Sequence, residues 1–241
     1  MTTIAGYNLC AAPCCGAIYR TLNYRSMNFS AWEYWTDGYR EGTLMPNDHG
    51  LRQCLCGAFY LVKEMEFIEQ VEETNAPHTA HVADTYLPVA IAQARTSEIE
   101  LAARLDYWQL LNHPYRVLYR AHNDSKKAAW ISANPDQRSW WQRICKAQPP
   151  QYVETVNQPF SYPLYELSEM QSDNLKALLR LHEEELRNDN ETRAELHREL
   201  GQFEQAMQAL QEEPIDEHDF AKHLMGRLIN SKVNAPMFYR I

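Results

Sequence analysis

The sequence predicts an α+β protein that is mostly α-helical, with a small antiparallel sheet followed by a helical domain. Three observations support this class. The first 62 residues are rich in cysteine, glycine and aromatic residues and contain several turn signals. Apolar residues recur at helical spacing after residue 97 and again after residue 170. Four prolines within residues 148–163 separate the two helical stretches, because prolines at this density exclude helix interiors and central strands.

Residues 1–71 are predicted to form a separate unit built on a small antiparallel sheet. Residues 37–38 are an Asp-Gly pair between two runs of strand-forming residues, which is typical of a hairpin turn. A second turn cluster occupies residues 45–50, and the apolar run at 58–62 is typical of a short strand. We therefore expect strands on both sides of each turn.

Residues 72–147 are predicted to form the first helical region. The pattern Ser-x-x-Glu at residues 97–100 is a capping box, which marks the start of a helix. Pro114 is expected to end this helix and to begin the following one, since proline suits the first position of a helix. Pro135 is expected to begin a further helix for the same reason.

A proline-rich connector at 148–163 leads to a second helical region at 164–241. Apolar and aromatic spacing predicts one helix face made of Leu175, Leu178, Leu179, His182 and Leu186. A capping box at residues 192–195 begins another helix, and Gly201 is expected to end it. The tail after residue 230 is expected to be irregular.

Two short cysteine clusters are the most specific feature of the chain. The first contains Cys10, Cys14 and Cys15, and the second contains Cys54 and Cys56. The last cysteine of each cluster precedes a glycine, which allows the positive φ of a tight turn that delivers two thiolates to one metal ion. We predict a structural Zn²⁺ bound by Cys10, Cys54, Cys56 and either Cys14 or Cys15. Cys15 is favoured because the Cys-Gly pair then recurs in both clusters.

Disulfides and unconnected thiols are the alternatives to a metal site. Five of the six cysteines fall within the first 56 residues of a chain that shows no export signal, a pattern that favours metal. His49 is a possible substitute ligand, although its turn cluster favours a turn residue. Cys145, outside both clusters, is expected to pack in the core as free cysteines commonly do.

Two local resemblances follow from these residues. The N-terminal clusters, with Cys15-Gly16 and Cys56-Gly57, resemble a zinc ribbon, although their spacing departs from the usual pattern. Residues 200–206, Leu-Gly-Gln-Phe-Glu-Gln-Ala, resemble the turn between the two helices of a tetratricopeptide repeat. No second copy of that pattern occurs at a fixed period, so the resemblance implies one helical hairpin and not an array. Neither resemblance implies a catalytic residue.

Composition favours a protein partner. The net charge of −9 argues against binding to nucleic acid and suits a partner with a basic surface. The first residues show neither the basic nor the apolar region of a signal peptide, and no stretch is apolar enough to span a membrane, so we expect the protein in the cytoplasm. Tryptophans are frequent anchors of protein interfaces, and the candidates here are Trp32, Trp35, Trp140 and Trp141. Each of these side chains could instead pack in the hydrophobic core.

No catalytic motif is present: phosphate-binding glycine loops and zinc-protease motifs are absent from the sequence. We therefore expect a non-enzymatic interaction protein, such as an adaptor, a chaperone-like factor or a toxin-neutralising immunity protein. The second hypothesis is a nucleic-acid-associated regulator that uses a basic stripe of Arg20, Arg25, Arg40 and Arg52. The third is an enzyme whose site is assembled from scattered residues.

Overall fold

The computed structural model describes residues 3–26, 31–42, 49–136, 138–145, 148, 150–152, 165–184, 189–212 and 219–239. These residues form helices and small antiparallel sheets, which confirms the predicted α+β class. The chain divides into two compact units. The first comprises Met1–Leu111 and Leu167–Ile241, and the second comprises Asn112–Glu166. Most of the predicted connector at 148–163 lies outside the described residues.

The strands are short and are concentrated in the first third of the chain. They are β1 (Thr3–Ala11), β2 (Ile18–Ser26), β3 (Ala31–Trp35), β4 (Arg40–Gly42), β5 (Leu51–Gln53), β6 (Phe59–Leu61), β7 (Glu66–Val71), β8 (Ala80–His81) and β9 (Phe238–Tyr239). The predicted strands around residues 37–38 and at 58–62 are present as β3, β4 and β6.

The strands form three three-stranded antiparallel sheets, ordered β2-β1-β7, β4-β3-β9 and β6-β5-β8. The prediction of a single small sheet was therefore too simple. The tail was also expected to be irregular, yet β9 pairs with β3 through Tyr239 opposite Tyr34 and Phe238 opposite Trp35. Only a strand about 200 residues away in sequence supplies this pairing, so no local pattern could predict it.

The helices are α1 (Leu87–Ala92), α2 (Ser97–Ala133), α3 (Trp140–Ile144), α4 (Glu169–Glu184), α5 (Asn190–Glu199), α6 (Phe203–Gln211) and α7 (Phe220–Asn230). The prediction that Pro114 separates two helices is wrong, because α2 continues through it. A proline removes one backbone hydrogen bond of a helix. Here the neighbouring Asn112, Tyr115 and Arg116 are buried, and burial of their side chains favours a continuous helix over a break.

Helices α4 to α6 follow the predicted pattern, whereas α7 was not predicted. Leu175 and Leu178 are fully buried in a cluster with Leu101, Trp108, Leu181 and Leu196, whereas Leu186 lies outside the described residues. Helix α5 begins at Asn190, before the predicted capping box, because the Asp189 side chain accepts a hydrogen bond from the Thr192 backbone amide. Gly201 has a φ of +74°, which ends α5 where the sequence predicts.

A buried ionic network joins α5 to the β3–β4 turn and to the tail. The Arg198 guanidinium donates to both carboxylate oxygens of Glu195, and neither side chain is exposed. It also donates to the Thr36 hydroxyl at 3.3 Å and to the carbonyl of Val233. Trp108 donates to the buried carboxylate of Glu199 at 2.9 Å. Residues distant in sequence are therefore held together by one arginine.

Burial raises the pKa of Glu199 well above the ordinary value of 4.5, and the nearby Glu195 and Asp37 raise it further. The folded protein thus retains a proton that the unfolded chain releases, so this group makes the fold less stable as the pH rises above about 4.5. We expect Glu199→Gln to flatten that pH dependence. At pH 8 the variant should be more stable than the wild type, because the amide carries no charge that burial penalises.

The measurement is urea unfolding at pH 5 and at pH 8. The exposed Glu204→Gln serves as the control, since a solvated carboxylate has nothing to gain from neutralisation. Equal pH profiles for the wild type and Glu199→Gln would contradict the effect assigned to Glu199.

Candidate metal centre

The first cysteine pair lies in the turn between β1 and β2. The Ala12 amide donates to the Ala17 carbonyl at 2.8 Å, and the Gly16 amide donates to the Ala12 carbonyl at 2.9 Å. Gly16 has a φ of +70°, which a residue with a Cβ rarely adopts. The chain therefore reverses immediately after Cys14 and Cys15, and both cysteines lie within the turn.

The second pair lies in the corresponding turn between β5 and β6. The Cys54 amide donates to the Ala58 carbonyl, and the Gly57 amide donates to the Cys54 carbonyl, both at 2.8 Å. Gly57 has a φ of +88°. Both turns are thus closed by a pair of backbone hydrogen bonds and end in Cys-Gly, as the sequence pattern predicts. Ala12 in the first turn corresponds to Cys54 in the second, because each accepts the hydrogen bond from the glycine amide of its turn.

The two turns bring four sulfur atoms together: those of Cys14, Cys15, Cys54 and Cys56 all lie within 4.8 Å of one another. The Sγ–Sγ distances are 3.4 Å between Cys15 and Cys54, 3.6 Å between Cys14 and Cys56, and 4.0 Å between Cys14 and Cys15. Four thiolates bound tetrahedrally at about 2.3 Å from one ion would lie about 3.8 Å apart. These four cysteines could therefore hold a metal ion.

Cys10 does not belong to this group, which differs from the predicted ligand set. It lies within β1, paired with Tyr19 of β2 and Phe67 of β7. The prediction used only one of Cys14 and Cys15, whereas the structure brings both sulfurs to the cluster. Adjacent side chains of a strand point to opposite faces, but in a turn the backbone changes direction at each residue. Two consecutive cysteines can then approach the same point.

Tyr19 is a buried neighbour of the cluster and forms a hydrogen bond with one of its sulfur atoms. Its ring is buried, its hydroxyl donates to the Cys54 sulfur at 3.3 Å, and it accepts a hydrogen bond from the Leu55 amide at 2.9 Å. Tyr60 is buried beside it, with ring centroids 6.4 Å apart. The sequence contains no pattern that identifies Tyr19 as a residue of this site, because its position depends on the pairing of β1 with β2.

The thiols of the cluster differ in acidity. Burial raises the pKa of Cys14 to about 12, with further contributions from its hydrogen bonds to Cys54 and Cys56. Burial also opposes ionisation of Cys54, but hydrogen bonds donated by Tyr19 and by the Cys56 backbone amide outweigh it and lower the pKa of Cys54 to about 6. Neighbouring thiolates repel one another, so all four can ionise together only beside a cation.

The other candidate ligand, His49, lies elsewhere. Its Nδ1 lies 2.7 Å from Oδ1 of Asp106, and it is not among the residues of the cysteine cluster. Asp106 lies 57 residues further along the chain, in α2. Cys145, predicted to be buried, is exposed. Helix α3 leaves this cysteine and Ile144 in solvent, because its described residues form no buried face.

The four candidate interface tryptophans fall into two groups. Trp32, Trp140 and Trp141 are 56%, 60% and 61% exposed, and the rings of Trp140 and Trp141 stack with centroids 4.1 Å apart. Trp35 is buried, which favours the core alternative for this residue. Its ring packs edge-on against Phe238, 5.9 Å away, because β9 covers this part of β3.

Comparisons of the chain with protein-family models, with curated proteins and with solved structures find no match. None of the helices in the described residues combines the length and the apolar character needed to cross a lipid bilayer.

Proposed function

We propose that this is a non-enzymatic protein-binding protein whose N-terminal part is stabilised by a structural zinc ion, and whose partner presents a basic surface. The observation that carries the proposal is the outer strand β7. Residues 66–70 are all exposed, and Phe67 and Ile68 remain 60% and 45% accessible. An edge strand that carries exposed apolar side chains is typical of a binding surface.

The charge around β7 supports a basic partner. Glu66 and Glu69 flank the two apolar residues, and Glu72 and Glu73 follow the strand. None of these four carboxylates makes an ion pair within the described parts of the chain. A second copy of the strand would bring like charges together, whereas a basic strand or loop would neutralise them.

Zinc suits the four-cysteine cluster for a structural role. Four protein thiolates complete the tetrahedral coordination of zinc, so no position is left for an activated water molecule. Tetrahedral sulfur sites hold zinc or iron, and elemental analysis of the purified protein distinguishes the two metals. The two Cys-Gly turns support a zinc-ribbon-like module, and Gly201 between α5 and α6 supports a single tetratricopeptide-like hairpin.

The stacked pair Trp140 and Trp141 offers a second apolar contact surface. Large aromatic rings that are more than half exposed gain from burial in an interface. Adaptor, chaperone-like and immunity-type proteins all bind partners through surfaces of this kind.

The alternative of a nucleic-acid regulator has weaker support. Arg20 donates to the Thr74 carbonyl at 2.8 Å and lies over the Tyr7 ring, and Arg52 donates to the Leu51 carbonyl at 2.8 Å. Arginines engaged within the protein are poorly placed to neutralise phosphates.

Affinity capture with the full chain tests the proposal. We expect the double variant Glu66→Lys/Glu69→Lys to reduce capture of basic proteins at least about tenfold, since like charges across an interface repel. The matched control, Glu169→Lys/Glu204→Lys, makes the same change of net charge at exposed helix positions and should retain capture. Equal losses in both variants, or tight binding of duplex DNA at physiological salt, would contradict the proposal.

A further inference from the structure

A cavity of about 480 Å³ lies beside α2, next to the segment that contains β5 and β6. It is lined by His49, Gly50, Leu61, Val62, Lys63, Glu98, Leu101, Ala102 and Leu105. This volume falls within the range of about 300–1,000 Å³ that is usual for small-molecule sites. The cavity is separate from the cysteine cluster, none of whose residues lines it.

The walls of the cavity are apolar. Leu61, Leu101 and Ala102 are almost fully buried, and Val62 and Leu105 are partly buried. Apolar walls with a few convergent polar groups are the usual construction of a ligand site, since the walls provide affinity and the polar groups provide orientation.

His49 is the polar group that is held in a defined orientation. Oδ1 of Asp106 lies 2.7 Å from Nδ1 of His49 and accepts a hydrogen bond at 3.1 Å from the His49 backbone amide. Asp106 is itself only 14% exposed in its side chain, so the pair is partly shielded from water. When Nδ1 donates to a carboxylate, the neutral imidazole carries its lone pair on Nε2. In this tautomer the ring offers a hydrogen-bond acceptor.

The charged groups at the cavity are already engaged. The Lys63 ammonium lies 2.8 Å from the Glu98 carboxylate, and Oδ1 of Asp106 is engaged by hydrogen bonds with the backbone amide and the ring of His49. A charged ligand would lose its hydration on entering the apolar walls and would find no unpaired charge opposite it among the described lining residues. A neutral ligand loses much less hydration.

We propose that this cavity binds an uncharged, largely apolar small molecule that carries one hydroxyl group, and that the hydroxyl donates a hydrogen bond to Nε2 of His49. The walls take the apolar body, and Asp106 is a positioning residue that selects the acceptor tautomer of His49. The proposal is independent of the protein-binding role, because it uses neither β7 nor the exposed tryptophans.

Three related probes test the proposal by calorimetric titration of the full chain: 4-propylphenol, its methyl ether 4-propylanisole, and 4-propylbenzoate. All three carry the same apolar body. We expect the phenol to bind about 3–10-fold more tightly than the ether, which cannot donate a hydrogen bond, and the charged benzoate to bind most weakly. No binding of the phenol, or equal affinities for all three, would overturn the proposal.

Substitutions of residues that line the cavity show whether the probes bind there. His49→Phe should abolish the preference for the phenol over the ether, while His223→Phe, at an exposed position of α7, should keep it. Val62→Trp should fill the cavity and weaken both probes at least about tenfold. Thermal unfolding verifies that each variant is folded. If His49→Phe fails to fold, Asp106→Asn is the replacement, and an unchanged preference in that variant would overturn the proposal.

Discussion

Cys54→Ser is expected to abolish metal binding and to unfold the sheets that the two cysteine turns join. The purified wild type should carry about one zinc ion per chain. Because a metal site of this kind forms only in the folded state, the free energy of metal binding contributes directly to folding. That contribution amounts to about 10–16 kcal/mol in small zinc modules. We therefore expect the loss of one ligand to lower the free energy of unfolding more than any single core substitution would.

The loss of structure in Cys54→Ser should extend beyond the two cysteine turns. Leu51, Phe59 and Leu61 of β5 and β6 pack in one core cluster with Ile99 and Ala102 of α2. We therefore expect α1 and the start of α2 to loosen as well, while α4 to α7 retain their helical far-UV circular dichroism. Chelation of the wild-type protein should produce the same spectrum as Cys54→Ser.

Cys10→Ser is the matched control. It changes the same chemical group in the same part of the chain, but Cys10 lies outside the four-sulfur cluster. This variant should keep about one zinc ion and melt close to the wild-type temperature. Loss of zinc in Cys10→Ser, or normal melting of Cys54→Ser, would contradict the assignment of Cys14, Cys15, Cys54 and Cys56 as the ligands.

Arg198→Met is expected to be the most destabilising substitution outside the cysteine turns. It removes the guanidinium that pairs with Glu195, where both side chains are 0% exposed. Removing one partner of a buried pair leaves the other charge without compensation and costs about 3–5 kcal/mol. For a chain of this size the loss corresponds to a fall in melting temperature of about 10 °C.

A double variant and a surface control make this prediction specific. Glu195→Met/Arg198→Met should be more stable than Arg198→Met alone, since replacing both charges by apolar groups leaves no buried charge unpaired. Arg138→Met removes an arginine from a partly exposed pair with Asp136. It should cost at most about 1 kcal/mol. If Arg198→Met and Arg138→Met lowered the free energy of unfolding by similar amounts, burial of the ion pair would not explain the effect.

Local patterns predicted much of the secondary structure and one part of the candidate site. The Cys-Gly pairs at 15–16 and 56–57 form the expected turns because glycine takes a positive φ that other residues avoid. Helices α4 to α6 and the stop at Gly201 also follow from short-range spacing. Pro114 is the exception, since burial of its neighbours overrides the local tendency of proline to end a helix.

The sequence by itself determined the α+β class, the two cysteine turns, the start of α2 and the stop at Gly201, because backbone preferences and hydrophobic spacing act over a few residues. Only the tertiary structure decided which cysteines converge, that β9 buries Trp35, and that His49 contacts Asp106, 57 residues away in the sequence. Such contacts depend on how distant segments pair and pack. A strand or helix signal specifies the shape of a segment but not which other segment it will contact.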